Sequence, residues 1–344
     1  MNKLKFLSFT ILTSYLWLNS AANAIENNQL QENLNAMTET MFKETRFERN
    51  TAIQSLLNGY QVIFVPGIWT GIYPYYVNLL RSSGFTIPSE TLTSFAEHIE
   101  FLKKLNIKAQ LAPINTAATG AVRAQELLTT IKASLEPVIL ITHSSGGFDV
   151  LRAIVSDPEL MKLKVKGFLS MQTPFQGTPM TEWPLSPSIF GWSQRLLIEK
   201  VLGGSAGIEE LSREHSLNFL NLHQNTIENF LNEIDFLSLG TVRSVPVSDS
   251  YLPVTTLIPV LNSGSPLSGL MDGFVPWIEK HPHGGPNDGL VPAISGCLPF
   301  REESCLIIPN MDHAGTVMDL KPFYSTGKEN RLFLTEALIR LMMK

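Results

Sequence analysis

The chain has 344 residues, 44% of them hydrophobic and 17% charged, with a formal net charge of -5 at pH 7. That length buries a sizeable core in one large or two ordinary domains. The acidic balance removes the electrostatic case for nucleic acid or an anionic membrane surface as a partner. There is no low-complexity tract and no internal repeat.

The N-terminus reads as a targeting segment. Lys3 and Lys5 precede a mostly apolar run that ends near Leu18, and Ala22 and Ala24 form an A-x-A pattern. This is the layout of a secretory signal peptide over 1–24, cleaved after Ala24. The apolar run is shorter than the roughly 20 residues that a membrane span needs. Ile25, not a cysteine, follows the cleavage point, which argues against a lipid anchor. The expected location is periplasmic or extracellular, and in that oxidising setting Cys297 and Cys305 are expected to form one short-range disulfide.

Residues 25–57 are polar with spaced apolar positions and predict a helical arm on the surface. The main domain, 58–344, begins with QVIFVPG (61–67), a short apolar run of the kind covered on both faces of a sheet. Helical patterns follow over 73–84 and 94–106. IKAQLAPIN (107–115) predicts a strand, 119–134 a helix, PVILITHS (137–144) a strand, 146–161 a helix and 164–174 a strand. Strands alternating with helices imply a mostly parallel central sheet flanked by helices, an α/β fold. The alternation then breaks. Residues 180 to about 240 hold no clear strand but two helical runs, 192–204 and 214–234, the second with Leu220, Ile227, Leu231 and Ile234 at helical spacing. Such an insertion, about 180–245, is expected to form a helical cap, or lid, over a site. A last strand, SCLIIPN (304–310), and a last helix, 329–344, close the chain.

The chemistry is expected where PVILITHS meets GGFDVL. Strand, then x-x-S-x-G, then helix is the geometry of a nucleophile elbow. The turn is tight, so the residues two before and two after Ser144 must be small; they are Thr142 and Gly146. The turn exposes the Ser144 hydroxyl at the carboxyl edge of the sheet and sets the Ser145 N–H at a helix N-terminus, where it stabilises a developing oxyanion. His143 adjoins the nucleophile in sequence but points away at an elbow, so it is not the expected base. A second oxyanion donor is expected from the loop after the first strand, VPGIWTG, where the amide of Ile68 or of Trp69 serves. Asp288 in GGPNDGLVP and His313 in IIPNMDHAGTV each follow a late apolar segment. The order Ser144, Asp288, His313 is that of an α/β-hydrolase triad. Asn-Asp-Gly is also a strong turn, and Asp312 is a second carboxylate beside His313.

With these pieces in place, the sequence resembles the bacterial triacylglycerol lipases and related secreted esterases of the α/β-hydrolase fold. VIFVPGIWTG, ITHSSGG, SMQTPFQGTP, NDGLVP and MDHAGTV carry the resemblance, as islands between about 60 and 320. TPFQGTP (173–179) is similar to the Thr-Pro-His-x-Gly-Thr-Pro segment of that family, with Phe175 where His is common. Pro66-Gly67 stands where many members have His-Gly, and Thr142 where they have Gly. The resemblance implies an ester or thioester hydrolase with a helical lid, acting on an ester or lipid substrate and needing no cofactor for its chemistry. Some members bind structural calcium near the acid and histidine loops, and the sequence marks no ligand set for it. Trp69, Phe175 and Trp192 are expected to touch substrate; Phe190, Leu196, Leu197 and Phe230 are expected pocket walls for apolar acyl chains. The amphipathic cap helices imply transient contact with a lipid surface.

Other classes compete. Acyl transfer uses the same triad and differs in how water is excluded. A binding protein on a hydrolase scaffold would have no reason to keep all three triad groups. His281, His283, Asp288, Asp312 and His313 form only a scattered metal-ligand set, and His98, His215 and His223 lie on helical stretches with no expected chemistry.

Overall fold

A computed structural model describes residues 28–68, 94–182, 206–243, 274–317 and 328–344. The expected signal peptide, the helices expected at 73–84 and 192–204, and the expected substrate contacts Trp69 and Trp192 lie outside these residues. Among the described residues no helix is long and apolar enough to cross a membrane.

Six parallel strands make one sheet: β1 (Gln61–Val65), β2 (Lys108–Leu111), β3 (Val138–His143), β4 (Val165–Met171), β5 (Asp235–Val242) and β6 (Cys305–Pro309), in the order β2-β1-β3-β4-β5-β6. Strand order reverses beside β1, and in open sheets of this kind ligands bind beyond the carboxyl ends of the strands at such a point. β3 is buried along its whole length because both faces of the sheet are covered.

Alternation along the strands sorts the core into two layers. Val62, Phe64, Ile139, Ile141, Leu169 and Met171 face one way. Helices that line that layer include α1 (Asn28–Lys43), α2 (Arg46–Leu57), α3 (Ala96–Lys104) and α8 (Lys328–Met342). Ile63, Val65, Val138, Leu140 and Phe168 face the other way. They meet α4 (Gly120–Ala133), α5 (Gly146–Ser156), α6 (Pro158–Lys164) and α7 (Arg213–Leu231).

Three elements depart from expectation. The N-terminal arm covers one face of the sheet: Met41, Ile53 and Leu57 are fully buried or nearly so, and α1 packs on α8. Its bend is fixed by a capping box in which Thr45 Oγ accepts from the Glu48 N–H and Glu48 Oε2 accepts from the Thr45 N–H. The single helix expected over 146–161 is two, because Pro158 cannot continue α5 and the Asp157 carboxylate caps the Leu160 N–H at 3.1 Å. β5 is a strand inside the stretch expected to be a strandless cap, so the insertion ends before Asp235. The second cap helix, α7, packs on α5, and its Leu220, Ile227, Phe230 and Leu231 are core residues. Phe230 is therefore not the pocket wall expected of it.

Two further links hold the layers. The Cys297–Cys305 disulfide ties the start of β6 to the turn Ala293–Gly296. On the other side, Arg123 of α4 pairs with Asp149 of α5 at 2.9 Å, both almost fully buried. Arg152 bridges from α5 to Glu210 at 3.1 Å, and Glu210 also accepts from the Gly120 N–H at 2.9 Å. Truncating one partner of a buried pair strands the other charge. Asp149→Ala is thus expected to lower unfolding free energy by about 3–5 kcal/mol, read from urea denaturation. A loss below about 1 kcal/mol, the worth of an exposed pair, would show that this contact does not fasten α5.

Candidate active site

β3 delivers the chain to Ser144, whose φ of 54° lies in the left-handed region. That conformation costs a non-glycine residue roughly 1–3 kcal/mol and persists only where the surroundings impose it. Here they do. The Ser144 N–H donates to the Met171 carbonyl at 3.0 Å, and the Ser144 carbonyl accepts from Thr173 Oγ1 at 2.8 Å. The packing leaves no room for larger residues. A Cβ at Gly146 would lie 2.5 Å from the Val65 carbonyl oxygen, and one at Gly67 would lie 2.6 Å from Ser144 Cβ. A Cβ at Gly147 would strike the Thr173 side chain. The small residues around the serine therefore answer to the approach of the β1 and β4 loops.

Ser144 Oγ lies 2.9 Å from His313 Nε2, and His313 Nδ1 lies 2.9 Å from Asp288 Oδ2. All three residues are nearly buried. A carboxylate only accepts, so Nδ1 carries the imidazole proton and Nε2 is left to accept from the Ser144 hydroxyl. Asp288 is also a turn residue: its Oδ1 accepts from the Leu290 and Val291 N–H groups at 3.0 and 2.8 Å. The Asn287 carbonyl-amide oxygen accepts from the Gly289 N–H, and Gly289 has φ 96°. The turn and the carboxylate–imidazole contact are one device, because the turn aims Oδ2 at the ring. Asp312 is occupied differently. Its Oδ1 accepts from the Ala314 N–H at 3.0 Å, and burial raises its pKa, opposed by Arg243.

Three polar residues to which the sequence assigned no role complete the surroundings. Gln172 has φ 57° and is fully buried. Its Nε2 donates to the Asp312 carbonyl at 2.9 Å and lies 3.2 Å from Asp288 Oδ2, and its Oε1 accepts from the Thr316 hydroxyl at 2.6 Å. Thr241 of β5 donates to Asp288 Oδ2 at 3.3 Å. His143 contacts His313: its Nε2 donates to the His313 carbonyl at 2.6 Å, with the two rings 4.8 Å apart. Burial, with a smaller contribution from His313, lowers the His143 pKa to about 3, so it is neutral under the imidazole. The available signal was positional: His143 and Gln172 are polar residues ending or following apolar strands at the same edge of the sheet.

Ser145 is the N-cap of α5, and its amide stands at the helix N-terminus. The Ile68 N–H, expected to face the oxyanion directly, instead donates to Ser145 Oγ at 2.8 Å. Phe175, an expected substrate contact, is fully buried and packs 6.1 Å from Phe148, so it belongs to the core. Its backbone N–H is bound to the Ser295 carbonyl at 2.8 Å. Among the described residues no group of three or more His, Cys, Asp or Glu side chains is gathered to hold a metal ion. His281 pairs with Glu182 at 3.1 Å, and His98 meets Thr335 at 3.0 Å.

Comparison with solved structures agrees on the fold. A metagenomic carboxyl esterase superposes with a TM-score of 0.57 at 20% identity, over 82% of this chain and 75% of that one. The lipase of Staphylococcus hyicus does so with a TM-score of 0.50 at 14% identity, over 83% of this chain and 96% of that one. No family model and no curated protein matches the sequence. The chain has the α/β-hydrolase fold that these bacterial lipases and esterases share.

His98 and His143 give the fold an acid sensitivity. Burial lowers the pKa of each to about 3, against about 6.5 in the unfolded chain. Between those values unfolding takes up a proton at each ring. Stability is thus full above about pH 6.5 and falls as pH drops toward about 3, at about 1.4 kcal/mol per pH unit for each histidine. His98→Gln is expected to flatten this slope by one proton, measured by urea unfolding between about pH 4.5 and 8. An unchanged slope would contradict the assignment.

Proposed function

We propose that this protein is an exported serine hydrolase that cleaves carboxylic esters with apolar acyl chains. The observation that carries the proposal is the continuous hydrogen-bonded line from Ser144 Oγ through His313 to Asp288, at 2.9 Å for each link. The neighbours in fold, a carboxyl esterase and a lipase, point to the same reaction class. The disulfide and the targeting pattern of residues 1–24 support export.

The chemistry follows from the geometry. Ser144 Oγ attacks the ester carbonyl carbon while its proton passes to His313 Nε2. The carbonyl oxygen becomes an oxyanion facing the Ser145 N–H at the start of α5. Asp288 holds the Nδ1 proton, stabilises the imidazolium and keeps the ring from turning. As the intermediate collapses, Nε2 gives its proton to the leaving alkoxide and an acyl-serine remains. Water then enters, His313 takes its proton, and a second collapse releases the acid and restores Ser144. His143, neutral and fixed to the His313 backbone, adds no positive charge beside the imidazolium.

Preference for apolar acyl chains rests on the composition of 183–205, where Phe190, Trp192, Leu196 and Leu197 follow the turn at Pro179–Thr181. A nitrophenyl ester series is expected to show kcat/KM rising from acetate to medium-chain acyl groups. Highest activity on acetate would reassign the protein as a small-ester esterase. Asp288→Asn is expected to lower kcat by about 10⁴-fold, because the amide reverses the tautomer of His313. Retention of more than about a tenth of the wild-type rate would remove Asp288 from the mechanism.

A further inference from the structure

The sequence pattern assigns one oxyanion donor to the loop after β1 and another to the residue after the nucleophile. The structure joins these two positions to each other. The Ile68 N–H donates to Ser145 Oγ at 2.8 Å. An amide hydrogen directed at a hydroxyl oxygen is not directed at a substrate, so the loop amide does not serve the oxyanion by itself.

A serine hydroxyl carries one proton and two acceptor lone pairs. The Ile68 bond uses a lone pair and leaves the proton uncommitted. Among the described residues Ser145 Oγ makes no hydrogen bond in which it donates, although Ser145 is fully buried. A buried donor without an acceptor costs stability, and use in catalysis is one reason for a protein to keep one.

The location says what uses it. The loop backbone lies directly on the nucleophile: a Cβ at Gly67 would sit 3.2 Å from Ser144 Oγ. Ile68 N is the next backbone atom group along that loop, and Ser145 Oγ is within hydrogen-bonding distance of it. Ser145 also holds its own amide at the N-terminus of α5. Its hydroxyl, its amide and the nucleophile are therefore clustered at one corner of the site. A hydroxyl that accepts an N–H bond is polarised into a better donor.

We propose that Ser145 supplies two donors to the oxyanion, its backbone N–H and its side-chain O–H, and that the Ile68 N–H acts through the hydroxyl. This rests on the reading that Ser144 is acylated by an ester. The hydroxyl donates a hydrogen bond and no proton is transferred, so the proton inventory of the Ser144–His313 exchange is unchanged. Ser145 is then a catalytic residue through its side chain, and Ile68 is a positioning residue.

Ser145→Ala separates this role from simple occupancy. It deletes the side-chain donor, keeps the backbone N–H and releases the Ile68 N–H. If the hydroxyl serves the oxyanion, kcat for a nitrophenyl ester is expected to fall by about 10²-fold with KM within about twofold. The matching thionoester places a sulfur, a poor acceptor, where the oxyanion forms. The oxoester-to-thionoester rate ratio is therefore expected to shrink in the variant. Unchanged or higher kcat would overturn the proposal, since the released Ile68 amide would then be the true donor. A fall in kcat with an unchanged ratio would also overturn it, because that marks a structural effect only. Should Ser145→Ala fail to fold, Ser145→Cys keeps a side chain with a weak donor, and a wild-type ratio in that variant would contradict the assignment. Failure of the parent reading looks different: the wild-type protein itself would not hydrolyse the esters.

Discussion

Close approach of three backbone segments at the carboxyl edge of β3 is the constraint on which the rest depends. The loop after β1, the turn at Ser144 and the loop after β4 pass so near one another that glycine is required at 67, 146 and 147. Ser144 is held at φ 54° by that packing and by hydrogen bonds to the Met171 carbonyl and from Thr173. The strain is local, and the two apolar layers that fix β1, β3 and β4 in register sustain it. Arg123 and Asp149 serve the same end by seating α5, the helix that follows the Ser144 turn.

The polar side of the site is built around a second left-handed residue. Gln172, one residue past β4, reaches the Asp288 carboxylate, the Asp312 carbonyl and the Thr316 hydroxyl. It therefore links the acid loop to the histidine loop. His143 completes the support by donating to the His313 carbonyl. His313 and Asp288 come from different loops, and these buried contacts tie the two loops together. Two neutral buried histidines, His143 within that frame and His98 against Thr335, make the fold sensitive to acid.

Much of this was legible in the chain. β1, β3, β4 and β6 are apolar runs, and the Ser144 turn is marked by its small neighbours. β5 was hidden by Ser238, Gly240 and Thr241, which interrupt the apolar run. Two of those interruptions have physical causes at the site. A side chain at Gly240 would collide with the Ala293 backbone, and Thr241 donates to Asp288. The arm of residues 28–57 looked superficial because its buried residues are sparse, and their partners on α8 lie at the far end of the sequence. Phe230, expected as a pocket wall, and Phe175, expected as a substrate contact, are core residues, because apolar character alone cannot tell a site lining from a core contact. The Ile68–Ser145 bond had no signature at all, since it depends on the path of a backbone amide.

The central claim is that Ser144, activated by His313, is the nucleophile of this protein. The most direct measurement is reaction with a fluorophosphonate followed by peptide mass mapping, on the wild-type protein and on His313→Ala. A single adduct on Ser144, formed far more slowly in the variant, is the result this account requires. No adduct, or an adduct on another residue at equal rates in both proteins, would contradict it.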